Sequence, residues 1–102
     1  MKLIEDQKAF ESLQNYFAQA IALTIKRELE GRKLNPEMIK DITSDLTFSI
    51  CALIDGSSQF ETDEGVLEPV LTFKKSDDEL IFSGDSSYMH DTVYGWVYDL
   101  FE

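Results

Sequence analysis

The sequence predicts an α+β fold in the order α-α-β-β-β-α, with a three-stranded antiparallel meander and helices packed mainly on one of its faces. Three observations carry this. Apolar residues recur every three or four positions from Asp6 to Glu30. From Leu46 the period drops to two. A cluster of capping residues, Gly84-Asp85-Ser86-Ser87, then opens a last amphipathic stretch.

The first helix is expected over Asp6 to Glu30. Phe10, Leu13, Phe17, Ala20, Ile21, Thr24 and Ile25 share one stripe. Asp6 is placed to cap the start, and Gly31 to close the end in the left-handed conformation. Asn35-Pro36-Glu37 is a second helix start, with Asn as cap and Pro at the first helical position. Met38, Ile39 and Ile42 make a short apolar patch, and Thr43-Ser44-Asp45 is expected to end this helix after two turns.

In the alternating stretch, Leu46, Phe48, Ile50, Ala52 and Ile54 form a core face of the first strand. Thr47, Ser49, Cys51, Leu53 and Asp55 form the other. Gly56-Ser57-Ser58 is expected to be a bulge or bend in that strand, and Asp63-Glu64-Gly65 a hairpin turn. The second strand runs from Val66 to Lys74, with Pro69 confining it to an edge or bulge there. Lys75 to Asp78 turn the chain into a third strand, Glu79 to Ser83. A final helix spans Tyr88 to Phe101, with Met89, Val93, Trp96, Val97 and Leu100 as its buried stripe. Gly95 inside it suggests a closely packed backbone. The sheet's second face, carrying Leu53, Val70 and Ile81, is expected to meet a partner or a second subunit.

The 102 residues suit one domain, 1–102, and the single cysteine excludes an intrachain disulfide. No apolar run reaches membrane-spanning length and the N-terminus does not read as a signal peptide, so the cytoplasm is the expected compartment. Charge is the more informative property. The net charge is −11; residues 1–40 hold seven basic and six acidic side chains, whereas residues 41–102 hold two basic and fourteen acidic. Such a field repels nucleic acid and anionic membrane and attracts basic proteins.

Candidate chemistry is sparse. No phosphate-binding glycine loop, dinucleotide fingerprint or metal-ligand spacing occurs, and no cofactor or metal is expected. Asp55, Glu61, Asp63, Glu64 and Glu68 form an acidic cluster that flanks a hairpin rather than converging on a cation. His90 reads as a surface or capping residue. Ser86, Ser87, His90 and Asp91 include the residue types of a nucleophile triad, but as neighbours at a helix start they suit capping better. Cys51 reads as a small structural residue. Tyr94, Tyr98 and Phe101 share a helix face that is either core or an interface.

In size and charge only, and through no shared motif, the chain resembles small acidic immunity proteins, inhibitors that cap basic nuclease toxins, and DNA mimics. The resemblance implies an inhibitory contact with a basic protein. The functional expectation is a non-enzymatic binding module in which Asp55, Asp63, Glu64 and Glu68 steer association and Tyr94 or Tyr98 anchors it. The alternatives are a homodimeric accessory protein, and a small enzyme or ligand binder around His90, Tyr94 and Asp55.

Overall fold

The computed structural model describes residues 1–58 and 60–101. Three helices and two small sheets form an α+β fold: β1 (Lys2–Glu5), α1 (Gln7–Glu30), α2 (Pro36–Ile54), β2 (Phe60–Thr62), β3 (Gly65–Leu67), β4 (Phe73–Ser76), β5 (Glu79–Phe82), a 3-10 turn at Met89–Asp91, and α3 (Val93–Leu100). None of these helices is long and apolar enough to cross a membrane.

The first helix follows its sequence signals at the start. The Asp6 carboxylate accepts from the Ala9 amide at 3.0 Å, which satisfies one of the free donors of the first turn. At the other end Gly31 is right-handed, at φ −74°, so the expected left-handed closure is absent. Its deeply buried positions are Phe10, Gln14, Ala18 and Ala22. The small residues among them admit the close approach of the other helices.

The largest correction concerns α2. It opens where expected, with Asn35 Oδ1 accepting from the Met38 amide at 2.8 Å. It does not stop at Thr43-Ser44-Asp45 but continues for 19 residues to Ile54, through the whole segment expected as the first strand. A short apolar run fits either period, and packing decided between them. Thr43, Ser44, Thr47 and Cys51 lie on the buried face of the helix. Strand geometry would have put Thr47 and Cys51 opposite the core, so the expected inside and outside are exchanged for them. Gly56-Ser57 is then a helix terminator and not a strand bulge. Gly56 is left-handed at φ +79°, its amide donates to the Leu53 carbonyl, and the Ser57 amide donates to the Ala52 carbonyl at 2.9 Å. This pairing is a Schellman closure.

The sheets also depart from a meander. Asp63-Glu64 does turn a hairpin, and Gly65 has φ +114°, but the paired strands are β2 and β3, with Phe60 opposite Leu67. The expected second strand is split: residues 68–72 belong to no ladder, and pairing resumes at Phe73. Pro69, which has no amide hydrogen, accounts for part of that gap. The other sheet has the order β1-β5-β4 and is mixed, with β5 antiparallel to β4 and parallel to β1. β1 is a strand that periodicity could not reveal, because four residues hold too little pattern.

The interior sits between helices. Ala18 and Ala22 of α1, Cys51 of α2, Met89 of the 3-10 turn, and Val93 and Val97 of α3 form one buried cluster. The expected stripe of the last helix is therefore realised, although its first turn is 3-10 and α3 proper begins at Val93. The mixed sheet joins this body through α1, where the Phe10 and Phe73 rings lie 5.4 Å apart and Phe17 meets Phe73 edge-on at 6.0 Å.

Gly95 was expected to mark a close backbone contact, yet it is exposed and a methyl group there would meet nothing within 4 Å. Gly95→Ala should therefore raise stability by about 0.5–1 kcal/mol, measured by urea unfolding, because alanine restricts the unfolded chain and favours helix.

Candidate functional site

Two places hold chemistry-bearing side chains. The first is the end of α2. Asp55 caps that helix, and its carboxylate is buried. Three donors converge on it: the Ser87 hydroxyl, the His90 amide at 2.7 Å and His90 Nδ1 at 2.6 Å. A buried carboxyl group needs such partners, and here they come from the segment entering the last helix. Asp55 thus fastens the C-terminus of α2 to the 3-10 turn, and the structure does bring Asp55 and His90 together. Tyr94 joins them indirectly, through Phe48, whose ring stacks on Tyr94 at 5.5 Å and meets His90 at 6.0 Å.

The cluster has the composition of a catalytic triad but the wrong geometry. Ser57 Oγ lies 3.2 Å from His90 Nε2 and 3.5 Å from Nδ1. Near-equal distances to both nitrogens put it off the in-plane lone pair of Nε2, where a base must hold a nucleophile's proton. His90 Nε2 also faces Asp91 Oδ1 at 3.3 Å. Ser87 donates to Asp55, and Ser86 donates to Glu68 Oε1 at 3.1 Å. The hydroxyls of Ser86 and Ser87 are thus held by carboxylates rather than presented to a base. Among the described residues, no group of three or more His, Cys, Asp or Glu is placed to hold a metal ion.

Cys51 lies one turn before Asp55 and is fully buried. Burial, with the Asp55 carboxyl group as a second cause, pushes its thiol from 9.0 up to about 12. The native thiol should therefore resist iodoacetamide at pH 8 and react once the chain is unfolded in urea. A raised folded-state value also means that this contribution to stability is complete below pH 9 and is lost as pH climbs toward 12. Unfolding titrations of the native chain and Cys51→Ala should diverge in that window, with the native chain losing stability faster.

The second place is the outer surface of α2 and the hairpin beyond it. Leu46, Ile50 and Leu53 are 46%, 39% and 44% exposed, whereas Thr43, Ser44, Thr47 and Cys51 on the inner face are 5% exposed or less. An aliphatic row of this helix is thus left open to solvent, while Ile39, Cys51 and Ala52 are buried. Every residue of β2 and β3 is exposed as well, including Phe60, Val66 and Leu67. Between the end of α2 and the hairpin lies an open groove of about 490 Å³, lined by Leu53, Ile54, Phe60 and Pro69 to Thr72. Leu53 and Val70, expected together on a bare sheet face, do share this groove. Ile81 sits instead in β5, partly buried.

The expected partner-facing residues separate accordingly. Asp63 and Glu64 are exposed at the hairpin turn, and Glu68 is exposed while bonded to Ser86. Tyr94 and Tyr98 form a half-exposed ledge along α2. The Tyr94 hydroxyl is 3.5 Å from Asp45, and the Lys40 ammonium lies 4.5 Å from the centre of the Tyr98 ring. Desolvation and the neighbouring Asp45 carboxylate hold the Tyr94 hydroxyl above its usual range. Asp55 is inside the protein, committed to Ser87 and His90, and does not belong to this surface. Leu46 and Ile50 were missed because strand alternation assigned them to the core.

Comparison with known protein families, with curated proteins and with solved structures returned no match.

Proposed function

We propose that this chain is a non-enzymatic binding module that meets a basic protein, in the manner of a small acidic inhibitor or immunity protein. The observation that carries the reading is the coincidence of apolar exposure and one-signed charge. Residues 41–73, which make up most of α2 and the whole hairpin, contain seven acidic side chains and no basic one. That same stretch exposes Leu46, Ile50, Leu53, Phe60, Val66 and Leu67. Apolar side chains supply affinity once desolvated, and surrounding acid selects and steers a basic partner. A catalytic reading has less behind it, since the Asp55–His90 pair presents no aligned nucleophile.

The test is capture from the native host's lysate by the tagged chain at low salt, followed by release with a salt step. A basic protein in stoichiometric amount is the expected product. It should be lost when Glu61→Gln, Asp63→Asn and Glu64→Gln are combined, residues whose side chains hold no other element in place. Recovery of the bait alone at every salt concentration would overturn the reading.

A further inference from the structure

We infer that the outer face of α2 is the seat of an amphipathic helix from the partner, one whose apolar row is bordered by lysine or arginine. This rests on the binding-module reading and specifies its contact. Leu46, Ile50 and Leu53 are exposed at i, i+4 and i+7, and the half-buried Ile42 extends the row by one turn toward the N-terminus. A row at that spacing is straight on a helix surface and accepts the matching ridge of another helix. From Ile42 to Leu53 it is about 16 Å long, or three turns. Leu46, Ile50 and Leu53 on this face stay 39–46% exposed, while the opposite face of α2, carrying Thr43, Thr47 and Cys51, is buried toward the other helices. Three large aliphatic side chains left in water on one helix face form a patch that a partner can cover. Beyond Leu53 the groove of about 490 Å³ offers a pocket for one large side chain at the end of the docked helix.

Charge decides the occupant. Asp41 and Asp45 run as an exposed acidic row beside Ile42 and Leu46, and the hairpin adds Glu61, Asp63 and Glu64 past the far end. A second copy would bring the same acidic borders against these. A helix bordered by lysine or arginine brings the opposite sign to both ends of the row.

The direct test is fluorescence anisotropy of the whole chain with two synthetic amphipathic helices that share a leucine row, one bordered by lysine and one by glutamate. The lysine-bordered helix should bind, more weakly as salt is raised, and the glutamate-bordered one should not. Leu46→Ser with Ile50→Ser should weaken binding about tenfold or more, with circular dichroism and unfolding showing that the fold is kept. Equal binding of both helices, no binding of the lysine helix at millimolar concentration, or no effect of the two serine substitutions would each overturn the inference. So would a dimer in sedimentation that dissociates on the same substitutions, which would show a second copy on this face. Should the partner captured from lysate be lost with the acidic substitutions yet retained by Leu46→Ser/Ile50→Ser, the binding-module reading stands and the helix seat falls.

Discussion

Asp55→Ala is expected to lower the unfolding free energy by roughly 3–5 kcal/mol, a large share of what a domain of this size possesses. The substitution leaves the Ser87 hydroxyl, the His90 amide and His90 Nδ1 without their acceptor, in a place where water reaches poorly. A buried polar group stripped of its partner carries its full desolvation cost. Asp55→Asn retains one carbonyl oxygen for these donors and should cost less. Ser57→Ala should change stability by less than about 0.5 kcal/mol, because the Ser57 hydroxyl is exposed and only rests near the imidazole. Urea unfolding of the three variants checks the order. A Ser57 effect as large as that of Asp55 would mean that the serine, and not the helix-end carboxylate, holds the last helix to α2.

Phe10→Ala should cost a comparable amount, about 3–5 kcal/mol. Phe10 is 1% exposed, and its ring packs against Phe73 at the junction of α1 with the mixed sheet. Removal of the ring leaves a cavity that long α1 cannot collapse into without losing its contacts with α2 and α3. The loss should fall first on the sheet, since Phe10 and Phe17 are the aromatic links from α1 to Phe73. Hydrogen exchange should therefore show the amides of β4 and β5 losing protection before those around Val93 and Val97. A uniform loss across both regions would show instead that the sheet and helices unfold as one unit.

Some of this architecture was legible in the residues. The caps at Asp6 and Asn35 are local chemistry, a side-chain oxygen meeting an amide three residues on, so they could be read without the fold. The same holds for the Asp63-Glu64 turn with Gly65 after it, and for the Met89–Val93–Val97 stripe. The positions of the helix ends were less legible. Gly31 and Gly56 are both plausible terminators, but only Gly56 takes the left-handed conformation, because Ser57 follows it back onto the Ala52 carbonyl. The site was legible only in part. The acidic bias of residues 41–73 is a property of the sequence, whereas the burial of Asp55 among donors from Ser87 and His90 depends on a contact across more than thirty residues.

What the sequence determined by itself is therefore the α+β composition, the two long-range signals of charge and helical period, and the caps that start the first two helices. Tertiary structure alone decided whether residues 46–54 would be strand or helix, since their apolar spacing satisfies both and the docking of small Thr47, Cys51 and Ala52 against the other helices favours one. That choice turned Leu46 and Ile50 outward. It also decided the parallel pairing of β1 with β5, because a four-residue strand acquires its identity from the edge it adds to. Local signals report what a segment can form; the partner available to each face selects what it does form.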